Sequence, residues 1–186
     1  MTTAKWVDRV MIFIDGSNLF RTFKRFRPTV HYSIKKLVTL LTKDRKLVRP
    51  YYFGAIRLPP ASGQIKFHDE IRYEGIDVTI RPLKTRSLSC ECPKCKHQWT
   101  RVTEVEKGVD VALVTRMLSF AFKNTYDVAI LVSGDADYID AVEQIRDLGK
   151  RVEIVAFKGA LAPGLRKIAD IDGFTDLDDV VGKIKK

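Results

Sequence analysis

Four aspartates in this chain stand where carboxylates could gather around a cation. Asp15 ends the apolar run Val10-Met-Ile-Phe-Ile14, and Asp135 and Asp137 lie in Ser133-Gly-Asp-Ala-Asp137, directly after a second apolar run, Val128-Ala-Ile-Leu-Val132. Asp110 falls in the first turn of a strongly helical segment, Val109 to Phe122. Carboxylates brought within a few ångströms repel one another and partly protonate unless a cation neutralises them. A hard divalent ion does so, and Mg²⁺ or Mn²⁺ keeps positions open for water and phosphate oxygens. Singly, each aspartate has an ordinary role as a helix cap, turn former or first-turn acid. Chance would have to put all four at one rim, so the joint pattern points to a metal site.

The elements that must position them follow from the pattern of apolar residues. Short, β-branched runs bounded by turn residues are the mark of buried parallel strands, and Val10–Ile14, Val128–Val132 and Val152–Ala156 have that form. Between the last two, Ile139, Val142, Ile145 and Leu148 recur at helical spacing, which predicts a βαβ unit with a helix over Ala136–Leu148. Further strands are predicted at Tyr51–Ile56 and Ile76–Ile80, and helices at Ile34–Leu41 and Ser62–Tyr73. The alternation implies a three-layer α/β/α domain over residues 1–186, with a central, mainly parallel sheet of about five strands. In such a sheet the ligand crevice lies beyond the carboxyl ends of the strands, where the strand order reverses, and Asp15 and Asp135 are placed there. Arg81 to Thr103 is polar and too long for an ordinary connection, so it reads as an inserted excursion.

At 186 residues, 45% hydrophobic and 30% charged, the chain fits one medium domain and argues against disorder, collagen or a coiled coil. The formal charge of +10 is uneven: twelve acids against nine bases after Tyr126 leave −3 there, and residues 1–126 carry +13. That asymmetry suggests a surface facing a polyanion. No stretch approaches the length of a membrane span, and Met1–Arg9 lacks the apolar run of a secretory signal, so a cytoplasmic protein is expected. Neither a Gly-x-Gly-x-x-Gly nor a Walker A motif occurs, which leaves dinucleotide and nucleoside-triphosphate binding without support.

Ile14-Asp-Gly-Ser-Asn18, Lys107-Gly-Val-Asp110 and Val132-Ser-Gly-Asp-Ala-Asp-Tyr138 resemble, in order and spacing, the motifs of the NYN family of PIN-like nucleases. The resemblance runs from about Val10 to Phe157 and includes the Leu148-Gly-Lys-Arg-Val152 turn. It implies a metal-dependent nuclease, most simply a ribonuclease, with Asp15, Asp110, Asp135 and Asp137 holding Mg²⁺ or Mn²⁺ for phosphodiester hydrolysis. Asn18 would orient a water, a carboxylate or the scissile phosphate, Ser17 and Ser133 would contact substrate, and Glu106 is a weaker addition to the acidic set. Single-stranded or structured RNA is the implied partner. The other reading is a non-catalytic module that recruits RNA or protein on the same fold.

Ten bases and one acid lie between Phe20 and Pro50, among them Arg21, Lys24 and Arg25 just after the Asp15 motif. They could flank the crevice and hold phosphates, while nearby aromatic faces stack on unpaired bases. Against this, the spacing of Phe20 and Phe23 expects both in the core, and many of the cations could simply form a solvated face. Cys90, Cys92, Cys95 and His97 lie in Cys-Glu-Cys-Pro-Lys-Cys-Lys-His, within an insertion spanning 84–103. Cys-Pro-x-Cys looks like a zinc knuckle, and a structural Zn²⁺ needs four ligands. Four in eight residues is cramped, so His68 or a second subunit in a homo-oligomer is an alternative source.

Overall fold

The computed structural model describes residues 6–170 and 173–186; the first residues of the Met1–Arg9 segment lie outside them. Strand β1 (Arg9–Asp15) alternates its side chains between two cores, with Val10, Ile12 and Ile14 facing one way and Met11 and Phe13 the other. All five are buried. A strand with water on neither side has no reason to alternate polar and apolar residues, which is why the run is continuously apolar.

Around it the chain forms α1 (Gly16–Phe26), α2 (Ile34–Thr42), β2 (Lys46–Ile56), α3 (Ser62–Tyr73), β3 (Asp77–Pro82), β4 (Lys84–Glu91) and β5 (Gln98–Val105). It continues through α4 (Val109–Phe122), β6 (Val128–Val132), α5 (Ile139–Asp147), β7 (Arg151–Ala156), α6 (Pro163–Ile168), β8 (Phe174–Asp176) and α7 (Leu177–Ile184). The main sheet has six strands in the order β3-β2-β1-β6-β7-β8, every neighbouring pair parallel. Residues of α1, α2, α3 and α7 pack on one face, and residues of α4, α5 and α6 on the other. This is the expected three-layer architecture with one more strand, because β8 is three residues long and too short to leave a periodic signal.

The chain steps outward from β1 to β3 and then returns to lay β6 on the other side of β1. Strand order therefore reverses between β1 and β6. Their carboxyl ends diverge into helices on opposite faces and leave a crevice there. The predicted helix from Ala136 starts with a 3-10 turn, Ala136–Tyr138, before α5 proper. The polar excursion is an antiparallel hairpin of β4 and β5 standing apart from the main sheet, with Lys84 opposite Val105 and Glu91 opposite Gln98. Its residues are largely exposed.

One expectation about the core fails. Phe23 is buried, but Phe20 is 61% exposed. Successive residues of a helix turn by about 100°, so with Leu19 and Phe23 directed at the sheet, Phe20 is carried to the flank. Of the cations expected to form a basic face, Arg45 is instead bound to Glu153 at 2.5 Å and to the Leu41 carbonyl, tying the end of α2 to the sheet.

Candidate active site

Asp15 sits at the end of the central strand with 2% of its surface exposed. It caps α1, its Oδ1 accepting the Asn18 backbone N–H at 2.9 Å. Its other oxygen, Oδ2, accepts from the Ser133 hydroxyl at 3.2 Å and lies 3.1 Å from the Tyr138 hydroxyl. The same Tyr138 hydroxyl is 3.0 Å from Asp110 Oδ1. β1, the 3-10 turn and the start of α4 thus converge through one phenol, and the loop after β6 joins them at Asp15.

That phenol has a single proton and two carboxylate neighbours. With both acids ionised, one of the short contacts would set lone pair against lone pair; a proton on one carboxyl relieves it. Burial, with a smaller contribution from the Asp110 charge, pushes Asp15 up to about 6, partly opposed by the hydrogen bonds from Asn18, Tyr138 and Ser133. Burial and the same two carboxylates drive the Tyr138 phenol upward, so it stays protonated as a donor. Among the described residues Asp15 forms no salt bridge.

Asn18 closes the crevice from the other side, its Oδ1 facing the Gly134 N–H at 3.5 Å. Gly134 is needed at that point, because a Cβ there would fall 2.4 Å from the Ala160 carbonyl oxygen. Asp135 joins through Ser133, whose Oγ accepts the Asp135 N–H at 3.3 Å, while the Asp135 carboxylate accepts the N–H of Asp137 at 3.3 Å and so caps its own turn. Asp110 and Asp137 are exposed, and Asp135 is half-buried. Two of the four sequence-predicted aspartates, Asp15 and Asp110, are therefore coupled through the Tyr138 phenol, and the backbone of Asp135 is joined to Asp15 through Ser133. Among the described residues no three Asp, Glu, His or Cys side chains are already drawn close enough to hold a metal. Mg²⁺ commonly uses one or two carboxylates, with waters and substrate phosphates filling the remaining positions, so the all-oxygen pair Asp15 and Asp110 fits such an ion.

Flanking the crevice, Ser17 and Lys24 line a cleft of about 580 Å³, whereas Arg21 and Arg25, further round α1, do not. On the opposite face, Arg81, Lys84, Lys107, Arg116 and Lys123 line a second, basic groove beside the start of α4. Sequence reasoning missed that groove, because its cations are scattered over 43 positions, and gave Tyr138 no role of its own although it closes the Val132–Tyr138 motif. Its position directly after Asp-Ala-Asp was the available signal. In the hairpin, Cys92 is pulled down by backbone N–H groups of Cys95 and Lys94 and by the Cys95 thiol, so these two cysteines share a turn. Cys90 instead contacts the Leu88 carbonyl at 3.8 Å, and the His97 ring stacks on Trp99 with centroids 6.3 Å apart. The local four-ligand set is not gathered, and His68 lies on α3, lining the cleft beside Ser17.

Fold and site together define a doubly wound parallel domain with an acidic rim at its switch point. The sequence profile of the NYN domain matches residues 9–178, and the chain belongs to that family of nuclease-like domains. It is similar to the low amplitude and bright protein LabA of Synechococcus elongatus, 23% identical over 180 residues that cover 96% of this chain and 88% of the relative. A solved structure, a protein of unknown function from Vibrio parahaemolyticus, superposes with a TM-score of 0.73 at 20% identity and full coverage of both chains. That likeness shows the fold. No helix among the described residues is long and apolar enough to cross a membrane.

Proposed function

We propose that this protein is a divalent-metal-dependent nuclease, a ribonuclease, that hydrolyses phosphodiester bonds at the rim between β1 and β6. The observation that carries the reading is the buried Asp15 sharing one phenol with Asp110, two carboxylates that form no salt bridge among the described residues. Asp15 and Asp110 would hold Mg²⁺ or Mn²⁺, with Asp135 and Asp137 on the adjoining turn available to it or to its waters. Such an ion supplies a lowered water pKa and charge neutralisation at the phosphate.

The chain's own residues do the rest. Tyr138 fixes the spacing of the two carboxylates, and Ser133 holds Asp15 in one rotamer. Asn18, anchored on the Asp15 cap, offers an amide at the crevice mouth. Lys24 on one side and Lys107 on the other draw a polyanion across the acids.

Purified protein should cut single-stranded RNA with Mn²⁺ or Mg²⁺ and stop when chelator is added. Cleavage that survives both Asp15→Asn and Asp110→Asn would sink the assignment. The separation of Asp135 and Asp137 from the coupled pair keeps a second reading in play, a binding module that holds RNA without cutting it. Chelator-insensitive RNA binding with no cleavage under any divalent ion would favour it.

A further inference from the structure

The cleft beside Ser17 has features that the acidic rim does not use. One wall is a stripe of α1, since Ser17, Phe20, Lys24 and Arg27 recur at intervals of three and four and all line it. The opposite wall is α3, and Tyr52 of β2 forms the floor. The Tyr52 ring lies against the backbone of Gly16, where a Cβ would come 2.2 Å from the phenol oxygen, so the cleft begins one residue from Asp15.

Two residues in it, Tyr52 and His68, are each only 6% exposed, yet the Tyr52 hydroxyl and the His68 imidazole make no hydrogen bond to a described residue. Among the described residues no side-chain nitrogen or oxygen is sealed from solvent without a partner, so both groups reach the open cleft. Two polar groups that open on one cavity without a protein partner are free to meet a ligand there. The lining also includes the rings of Phe20, Phe23, Tyr32 and Phe67, with Phe20 exposed, and no Asp or Glu side chain. Lys24 there has no ion pair among the described residues, whereas Arg27 is paired with Asp178 at 2.8 Å.

We propose that this cleft is a subsite for one unpaired nucleobase of the nucleic-acid strand whose phosphate lies at Asp15. The base stacks on Phe20 and Phe67, its polar edge meets Tyr52 and His68, and Lys24 takes the adjoining phosphate. Stacking platforms and edge hydrogen bonds are how proteins hold single-stranded bases. A paired base cannot enter a concave site on its own, so the substrate is single-stranded where it is cut. This rests on the nuclease reading for its position but not for its test.

The test is binding of the four ribonucleoside 5′-monophosphates to the full chain in EDTA, by calorimetry or NMR, with ribose 5-phosphate as the control that lacks a base. At least one mononucleotide should bind ten times or more tighter than the control. Phe20→Ala, an exposed position, should weaken it by about tenfold, in line with the loss of one stacked base. Tyr52→Phe should weaken it by a smaller factor. Gly63→Phe should block it, because a side chain at Gly63 meets nothing within 4 Å and would grow into the cleft. Mononucleotides that bind no better than ribose 5-phosphate, or that ignore all three variants, overturn the proposal. Binding in EDTA by a protein that never cleaves RNA supports the subsite and removes the nuclease reading; cleavage without base binding does the reverse.

Discussion

Strands β1 and β6 lie side by side, and each end of the pair has a buried or half-buried aspartate with opposite fortunes. At the amino end Asp127 accepts the Arg9 backbone N–H at 2.8 Å and both the Nε and Nη2 of the same arginine at 3.1 and 2.8 Å. That fork draws Asp127 down to about 2. At the carboxyl end, Asp15 is pushed up to about 6 by burial and by a second acid. The same residue type on the same strands serves stability at one end, where its charge is met. At the other end Asp15 meets no cation among the described residues, and on the proposed reading its charge is kept for an ion that arrives from solution.

The largest effect that would break this contrast is on catalysis. Asp15→Asn or Asp110→Asn should lower single-turnover RNA cleavage by roughly a thousandfold or more, comparable to losing a principal electrostatic group. Asp127→Asn should leave the rate within about a factor of three, assayed well below the melting temperature, because a group that distant acts only through stability. Equal losses at the two ends would remove the distinction.

Stability should move the other way. Without metal at pH 7, Asp15→Asn removes a buried charge and should stabilise the fold by about 2 kcal/mol, the equivalent of somewhat less than its upward shift. Asp127→Ala should cost about 1–2 kcal/mol, discounted for the partial exposure of its partner Arg9. Urea denaturation of the chelated protein measures both. If Asp15→Asn destabilises the fold, the carboxylate is structural and the comparison fails.

The pH dependence sharpens the point, because the signs differ. Asp15 has a folded value above its unfolded one, so the folded state binds more protons between about pH 4 and 6. The stability it contributes as a neutral acid is full below pH 4 and is lost as pH rises through 6. Asp127 is depressed, so its contribution is present above pH 4 and is lost as pH falls toward 2. Saturating Mn²⁺ or Mg²⁺ should flatten the first slope and leave the second. Among the variants at the carboxyl end the smallest expected change is Tyr138→Phe: about 1 kcal/mol in stability, from the loss of one net hydrogen bond, with a rate reduction nearer tenfold than a thousandfold.

Much of this was legible in one dimension. Continuous apolar runs could only be strands buried on both faces, and helical spacing in Val109–Phe122 and Ser62–Tyr73 matches α4 and α3 end to end. The two aspartates flanking the switch point followed from where those strands stop. Less legible were features whose members are far apart or whose roles depend on angle. Phe20 has the composition of core and the position of a flank, and the basic groove gathers residues from β3, β4, the loop before α4 and α4 itself. The cysteine cluster offered four ligands by proximity in sequence, while in the hairpin Cys90 stands opposite Trp99 and the His97 ring stacks on Trp99.

The amino-acid order by itself determined the layered architecture, its family and the carboxyl-end rim, because period and apolar content are local properties that burial enforces residue by residue. Tertiary structure alone decided that Tyr138 should span Asp15 and Asp110, and that Tyr52 and His68 should open into one cleft. It also decided that Asp127 should meet an arginine when Asp15 does not. Those are matters of distance and dielectric between residues up to 123 positions apart, and no pattern along the chain measures either.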